Sequence, residues 1–269
     1  MRTVRTIAGV REYLAPFRGN TIGFVPTMGA LHDGHLALFR AARNACRQVV
    51  ASIFVNPGQF NDPADLAAYP RPEARDTGMA AGAGVDALFI PSAETIYPPG
   101  DATAVVVQGA ALRFEGASRP GHFDSVATVC LKLFEIVRPH IAYFGQKDAQ
   151  QAAVIRQMIR DLHLEMRMEV VPTVRERDGL ALSSRNTRLS VVERQQALAI
   201  PRALVAGLAG YHAGRDPVAA ARAELAGLDV DYIDVAVFDG QPTLVVAARV
   251  GRTRLVDNVP LDHPSLAGL

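Results

Sequence analysis

The chain has 269 residues, of which 49% are hydrophobic, and its formal net charge at pH 7 is +1. This length accommodates one large domain or a larger and a smaller one. The basic residues are dispersed, which argues against a nucleic-acid partner, and no apolar run approaches the ~20 residues that span a membrane. The N-terminal residues lack the apolar segment of a secretory signal, so we expect a cytoplasmic protein with no membrane partner.

Two residue types are informative because they are rare. Cys46 and Cys130 lie in apolar helical patterns, which predicts buried free thiols and gives no support to a zinc site. Lys132 and Lys147 are the only lysines among 28 basic residues. Because the chain uses arginine at nearly every basic position, each lysine is a position to examine for function. For Lys132 the alternative is a surface lysine whose stem lies along apolar surface.

The first elements are predicted to be a strand, a glycine-containing turn and a helix. Residues 1–20 predict a short helix over 7–14 and a loop, and the apolar run 21–25 predicts a strand. The apolar-periodic segment 36–46 predicts a helix. The continuous apolar run 49–55 is typical of a central parallel strand, so a βαβ unit results.

Between that first strand and helix lies the segment Pro-Thr-Met-Gly-Ala-Leu-His-Asp-Gly-His, residues 26–35. The first turn of a helix carries unpaired backbone N–H groups and the positive end of the helix dipole, so it favours an anion. Gly29 and Gly34 let backbone and ligand approach closely. His32 and His35 share one face of a helical turn and can donate hydrogen bonds to phosphate oxygens or a leaving group. Two surface histidines on an ordinary helix start are the alternative.

Polar residues also follow the second predicted strand. Asn56 and Gln59 stand at its carboxyl end, where open α/β sheets bind ligands, although Asn56 is equally compatible with a simple turn. The next residues predict a loop over 61–71, a helix over 72–83 and a strand over 85–90. The sequence contains neither a glycine-rich dinucleotide-binding fingerprint nor a P-loop. If the protein binds ATP, it must therefore do so through another kind of segment.

A second strand, glycine turn and helix contains Lys147. Its ammonium can reach phosphates as a point charge, and a solvated turn lysine is the alternative. The elements around it are a largely irregular segment over 91–121 with room for a short strand at 104–107, a helix over 123–137, a strand over 141–144 and a helix over 149–162.

The remaining chain lacks βαβ alternation. We therefore predict a Rossmann-like parallel-sheet domain over 1–175 and a small α+β lid domain with an antiparallel sheet over 176–269. The predicted elements are a strand over 170–174, a charged hairpin at 175–179, a helix from Val191, a helix to about Leu228 that opens at Asp216, and strands over 230–235, 244–250 and 254–259.

Two local signals in this second part bear on structure and function. Ser190 and Glu193 form a capping box, and Pro201 should kink the helix that follows. The loop over 180–186 combines hydroxyls, arginine and backbone N–H groups, a composition that suits phosphate, although a plain polar loop is the better alternative on composition alone.

Several of these segments together resemble a known family. His32-x-Gly34-His35 is similar to the signature of the adenylyl-transferring superfamily that includes class I aminoacyl-tRNA synthetases, and segment 26–35 resembles the pantothenate synthetase family of pantoate–β-alanine ligases. The matches cover most of the chain. They continue in Phe54-Val55-Asn56-Pro57-x-Gln59-Phe60, Tyr69-Pro70-Arg71, Gly145-x-Lys147-Asp148-x-Gln150-Gln151, Pro172-Thr173-Val174-Arg175-Glu176, Ser183-Ser184-Arg185-Asn186 and Ala247-Ala248-Arg249.

The resemblance implies an ATP-dependent condensation of pantoate with β-alanine through a pantoyl-adenylate, with release of pyrophosphate and then AMP. It also implies Mg²⁺ as cofactor and a homodimer. The implied catalytic residues are His35, as the family's proton donor, with His32, Lys147 and Arg185. The implied ATP-binding residues are Met28, Gly29, Ala30, Leu31, His32, Asp33, Gly34, His35, Gly145, Gln146, Lys147, Asp148, Val174, Leu182, Ser183, Ser184 and Arg185.

The substrate positions follow from the same resemblance. Gln59 and Gln151 would hold pantoate, with Gln59 also near β-alanine, and Asn56 and Arg119 would complete that part of the site. Asp76 matches an acidic position near the family's Mg²⁺ region.

Two positions depart from the family pattern, and two other functions stay open. Gln146 stands where many members have Glu, and Gly58 where many have Met. A nucleotidyltransferase of the same superfamily, which moves AMP or CMP onto a phosphate, would show the same fold and histidines. A non-enzymatic adenine-nucleotide sensor is the other alternative, although the lysine and paired histidines at strand ends argue against it.

Overall fold

A computed structural model of the protein describes residues 1–262. The contacts within the chain divide it into two compact units. The first comprises Met1–Gly145 and Gln150–Val171, and the second comprises Gln146–Ala149 and the chain from Pro172 onward. The predicted boundary near residue 175 lies close to the last of these crossings, and that each unit is an independent domain stays a prediction.

The first unit is built on a six-stranded sheet in which every neighbouring pair is parallel. The strands are β1 (Arg2–Val4), β2 (Ile22–Thr27), β3 (Gln48–Ile53), β4 (Ala87–Phe89), β5 (Ile141–Gly145) and β6 (Arg167–Val171). Their order in the sheet is β1-β4-β3-β2-β5-β6, so the chain winds away from β2 first to one side and then to the other. Such a reversal creates a crevice at the carboxyl ends of β2 and β5.

Helices cover both faces of this sheet because strand residues alternate between two apolar clusters. Phe24 and Val50 pack into one cluster, and Val25 and Val49 into the other. The helices of this unit are α1 (Ile7–Leu14), α2 (Asp33–Ala45), α3 (Pro63–Ala68), α4 (Glu73–Gly82), α5 (Ala93–Ile96), α6 (Glu115–Ser118), α7 (His122–Val137) and α8 (Ala149–Asp161), whose first residue belongs to the second unit.

The second unit contains α9 (Val191–Ala197), α10 (Ala199–His212), α11 (Pro217–Glu224), β7 (Asp229–Phe238), β8 (Gln241–Val250) and β9 (Thr253–Pro260). The three strands form an antiparallel sheet in the order β7-β8-β9. Leu244 and Val246 of this sheet pack with Leu204 and Leu208 in a separate apolar cluster. The predicted fold class, a Rossmann-like parallel sheet followed by a small α+β part, is confirmed.

Several local predictions were wrong. Strand β1 was not predicted, because three residues gain regular structure only by pairing with β4. Helix α3 lies inside the predicted loop 61–71, although its N-cap Asp62 and first-turn Pro63 were readable signals. No strand forms at 104–107 in the described structure.

The helical segment from Val191 breaks at Leu198 instead of bending at Pro201. Pro201 thereby lies in the first turn of α10, where its missing N–H removes no hydrogen bond. Both cysteines are buried free thiols, as predicted, and burial raises the pKa of Cys130 to about 12. Within residues 1–262, no helix combines the length and apolar character needed to cross a membrane.

Candidate active site

The turn after β2 is tight because of two backbone conformations and one threonine. Gly29 and Ala30 both have positive φ, +78° and +51°. The Thr27 hydroxyl accepts from the Gly29 N–H at 3.1 Å and donates to the Ser52 carbonyl at 2.7 Å. A Cβ on Gly29 would lie 2.9 Å from Ile53 and 3.0 Å from a carboxylate oxygen of Asp76, so glycine is required here.

Asp76 holds this turn from helix α4. Its Oδ2 accepts from the Ala30 N–H at 2.7 Å and its Oδ1 from the Leu31 N–H at 2.9 Å, and the residue is 1% exposed. A carboxylate that accepts two backbone N–H groups fixes the path of the chain into α2. Asp76 is also the acidic residue that the family resemblance places near Mg²⁺, and that contact stays a prediction. Among residues 1–262 no cluster of three or more His, Cys, Asp or Glu side chains suits a metal ion.

His32 and His35 form a capping box at the start of α2. His32 is the N-cap, and its Nδ1 accepts from the Gly34 N–H at 3.2 Å, while Nδ1 of His35 accepts from the His32 N–H at 3.3 Å. The ring centroids are 4.1 Å apart. Because both Nδ1 atoms accept, each neutral ring carries its proton on Nε2, which makes Nε2 a donor. Met28 lies half-buried before this box, and Asp33 lies exposed in its first turn.

The turn after β3 brings three predicted substrate residues together. Asn56 is fully buried, and its Nδ2 donates to Oε1 of Gln59 at 3.1 Å. Arg119 donates to the Gln59 carbonyl at 2.9 Å and lies 3.1 Å from Nε2 of His122. A Cβ on Gly58 would lie 2.9 Å from the Ser125 hydroxyl, so Ser125 uses the space that a side chain at position 58 would need.

Gln151 lies half-buried in the first turn of α8. The preceding residue, Gln150, has a structural role that the sequence did not indicate. Gln150 is buried and donates to the carbonyls of Ala110 and Arg113 at 2.7 and 2.6 Å, while accepting from the Glu115 N–H at 3.0 Å. Gln150 therefore braces the irregular segment that leads to Arg119.

In the second unit, Asn258 of β9 holds the turn that carries Lys147. Its Nδ2 donates to the carbonyls of Gln146 and Lys147 at 3.0 and 2.8 Å, and its Oδ1 accepts from Nε2 of Gln146 at 3.0 Å. A glutamate at 146 could not make that last donation, which gives the departure at this position a structural reason. Nζ of Lys147 lies 3.4 Å from the Asp148 carboxylate.

Strand β9 also lies against the segment predicted to contact phosphate. Ser183 caps a 3₁₀ turn over Ser184–Arg188, with its hydroxyl accepting from the Arg185 N–H at 3.3 Å. The Leu182 N–H donates to the Val174 carbonyl at 2.9 Å. The second unit therefore brings Lys147, Ser183, Ser184 and Arg185 to one strand.

A buried ion pair anchors the hairpin that precedes this segment. Arg175 donates to both carboxylate oxygens of Asp257, at 2.7 and 3.2 Å, and both side chains are almost fully buried. Asp257 Oδ1 also accepts from the Asn258 N–H at 2.8 Å. A paired and hydrogen-bonded buried charge costs far less than an isolated one, so Arg175 can hold the hairpin beside the strand that carries Asp257.

Comparison with known proteins gives a consistent result. A family model for pantoate-beta-alanine ligase matches residues 2–260. A pantothenate synthetase of Cereibacter sphaeroides is 48% identical over 275 residues, which cover 96% of this chain and 99% of the relative. One from Heliobacterium modesticaldum is 50% identical over 280 residues, covering 96% of this chain and all of the relative.

Solved structures agree with the sequence matches. The crystal structure of pantothenate synthetase from Thermus thermophilus has a TM-score of 0.92 at 44% identity, covering 97% of this chain and 99% of its own. The pantoate-beta-alanine ligase of Francisella tularensis, complexed with beta-gamma ATP and beta-alanine, has a TM-score of 0.82 at 34% identity over 97% and 98% of the chains. Because sequence and fold both match over nearly the whole length, this chain belongs to the pantoate–β-alanine ligase family, the ATP-dependent ligases of pantothenate biosynthesis.

Proposed function

We propose that this chain joins pantoate to β-alanine in two steps, through a pantoyl-adenylate. The observation that carries the proposal is the capping box of His32 and His35 at the start of α2. It places two imidazole donors beside a helix N-terminus, where negative charge is favoured. The complex of the Francisella tularensis relative with beta-gamma ATP and beta-alanine supports the same substrates here.

In the first step a pantoate carboxylate oxygen attacks the α-phosphorus of ATP. A new oxygen–phosphorus bond forms, the bond to the bridging oxygen of pyrophosphate breaks, and pyrophosphate leaves with the charge. His35 donates a hydrogen bond to this leaving group, and His32, Lys147 and Arg185 stabilise charge on the phosphate oxygens. Fixed donors aimed at developing charge are the largest usual contribution to catalysis.

In the second step the β-alanine amine attacks the acyl carbon and AMP leaves, while the amine loses a proton to form the amide. An acyl-adenylate is already activated, so this step depends on proximity more than on acid–base catalysis. The sequence contains no Ser or Cys nucleophile motif, which favours transfer without a covalent enzyme intermediate.

The remaining assignments belong to the same proposal. Gln59 and Gln151 bind pantoate, with Asn56 and Arg119 supporting that end of the site. ATP would arrive as its Mg²⁺ complex, with Asp76 as the acidic residue near the metal, which would neutralise charge on the phosphates. The enzyme works as a cytoplasmic homodimer. The ATP contacts extend over Met28–His35, Gly145–Asp148, Val174 and Leu182–Arg185.

The test separates the half-reactions. Enzyme, pantoate and Mg-ATP without β-alanine should release pyrophosphate and accumulate a tightly held adenylate that rapid quench detects. Adding β-alanine should then release AMP. A nucleotidyltransferase would instead need a phosphorylated acceptor for ATP–pyrophosphate exchange, and a sensor would bind ATP without forming AMP. Pantothenate formation with no adenylate at any time would contradict the proposed mechanism.

A further inference from the structure

Asn56 has no contact with solvent, and each of its amide atoms has two partners. Oδ1 accepts from the Gly58 N–H at 3.4 Å and from the Tyr97 hydroxyl at 3.0 Å. Nδ2 donates to the Ser125 carbonyl at 3.2 Å and to Oε1 of Gln59 at 3.1 Å. The side chain is therefore saturated by protein groups.

Two backbone groups set the orientation of the Asn56 amide, because one of them can only donate a hydrogen bond and the other can only accept one. The Gly58 N–H can only donate, and the Ser125 carbonyl can only accept, so Oδ1 and Nδ2 of Asn56 cannot exchange places. Since Nδ2 is the atom facing Gln59, the Gln59 oxygen must face Asn56. The Gln59 NH₂ group is then on the other side of the half-buried side chain, as a donor.

Tyr97 completes the arrangement and is itself held in place. Nζ of Lys132 lies 4.7 Å from the centre of the Tyr97 ring, donates to the Ile96 carbonyl at 3.1 Å and pairs with Asp101. Burial raises the pKa of Tyr97 to about 12, so the phenol keeps its proton and donates at any physiological pH. Lys132 is thus engaged with three groups and is not the surface lysine that the sequence left as an alternative.

We propose that Tyr97 is a positioning residue that acts through Asn56 to present the Gln59 NH₂ group to an oxygen acceptor of the acid substrate. This rests on the proposed function, in which pantoate supplies hydroxyl and carboxylate oxygens. This relay, Tyr97 to Asn56 to Gln59, predicts that Tyr97 affects the binding of pantoate and not that of ATP, although Tyr97 lies more than thirty residues from Gln59 in sequence.

Tyr97→Phe removes one donor and keeps the ring that contacts Lys132. We expect the KM for pantoate to rise about three- to tenfold, with the KM for ATP and kcat within about twofold, because one hydrogen bond is lost. Tyr13→Phe is the matched control, since the Tyr13 hydroxyl lies in the same unit and its hydrogen bonds to Gln48 and to the Asp86 carbonyl are long, at 3.5 and 3.4 Å. Equal rises for pantoate and ATP, or no change in either, would overturn the proposal.

Two further variants test the direction of the relay. Gln59→Glu keeps an acceptor toward Asn56 and replaces the substrate-facing donor by an anion, so it should weaken pantoate at least as much as Gln59→Ala. In an Asn56→Asp background, Tyr97→Phe should add little, because the relay is already broken. Normal pantoate affinity in Gln59→Glu, or a full additive effect of Tyr97→Phe, would overturn the assigned orientation.

A readout that needs no activity separates this inference from the proposed function. Side-chain amide NMR signals of Asn56 and Gln59 should both shift in Tyr97→Phe and stay in place in Tyr13→Phe. Absence of AMP formation in the unaltered enzyme would contradict the proposed function alone, whereas unchanged amide signals in Tyr97→Phe would overturn the relay alone.

Discussion

At the scale of single residues, the two histidines of the capping box have two tasks at once. Each Nδ1 accepts a backbone N–H, and each Nε2 is a donor, so a substitution removes a helix cap together with a proposed catalytic group. The two tasks can be separated, because glutamine at the third helical position also closes a capping box.

His35→Ala should slow adenylation by about 10²–10³, the usual cost of losing one donor to developing charge. Binding of a preformed adenylate should stay nearly intact, since the adenylate lacks the departing pyrophosphate. His35→Gln should restore the thermal stability that His35→Ala loses, but not the rate. Equal damage to adenylate binding, measured by calorimetry, would indicate a structural role for the imidazole.

The second residue-scale prediction concerns Lys147. An ammonium is a compact charge on a flexible stem, whereas a guanidinium is a wide planar fork that needs room in this turn. We expect Lys147→Arg and Lys147→Ala to lose pyrophosphate-release rate to a similar order, with unchanged circular dichroism. Arg167→Lys is the control, because Arg167 is the first residue of β6, at the end opposite to the carboxyl end of the strand, and its side chain is exposed. Near-normal turnover in Lys147→Arg would mean that charge alone suffices.

At the scale of elements, the start of α9 depends on ionisation of one side chain. Glu193 accepts from the Ser190 N–H at 2.8 Å, and this hydrogen bond, with that to the Ser190 hydroxyl, holds the pKa of Glu193 below its ordinary value. A carboxyl whose pKa is lower in the folded state contributes stability above its unfolded pKa and loses it as the pH falls through the folded value. The contribution is therefore present at neutral pH and absent in strong acid.

The corresponding experiment compares urea unfolding of the unaltered protein and Glu193→Gln between about pH 7 and pH 3. The unaltered protein should lose stability relative to the variant as the pH falls. Ser190→Ala should lower the free energy of unfolding by about 0.5–2 kcal/mol at neutral pH. It should keep the larger part of the pH dependence, because the backbone N–H of residue 190, the main cause of the lowered Glu193 pKa, remains. Parallel pH profiles for the unaltered protein and Glu193→Gln would contradict this account.

A second element-scale prediction concerns β9. Asn258→Asp places an oxygen where an NH₂ group now contacts two carbonyls, so the turn of Lys147 should shift. Pyrophosphate release should slow about tenfold or more, with an unchanged KM for β-alanine. Lys147→Ala should cost little further in that background. Arg252→Ala, at the exposed tip of the same hairpin, is the control, and additive losses would show that Asn258 acts elsewhere.

The sequence predicted those helices and strands whose hydrophobic periodicity or capping residues lie within the element itself. The helices at α1, α2 and α7 and the central strands follow from hydrophobic patterns, and only their ends differ by a few residues. The break at Leu198 and the three-residue β1 depend on tertiary packing and partner strands, which no local pattern encodes.

At the scale of the whole molecule, the sequence indicated candidate site segments but not the distant residues that hold those segments in place. Strand ends and glycine turns are local signals. Asp76 braces a turn 45 residues earlier, and Asn258 braces one 111 residues earlier, so neither partnership leaves a trace in neighbouring residues. Whether each of the predicted site residues contacts its substrate stays a prediction.

The prediction at the scale of the whole molecule concerns the oligomeric state. We expect sedimentation at twice the monomer mass over a wide range of concentrations, as the family resemblance implies. A single species at the monomer mass across that range would contradict the homodimer. The unaltered protein with and without Mg-ATP gives a matched comparison for any ligand dependence.

The segment Gln146–Ala149 belongs to the second compact unit although the chain on both sides of it belongs to the first. This matters for recombination between relatives. A chimera joined only at Pro172 would take Lys147 from one parent and the strand that holds it from the other. A chimera that keeps these contacts must therefore take residues 146–149 from the same parent as the chain after residue 171. The parts that must be exchanged together are thus not continuous in the sequence.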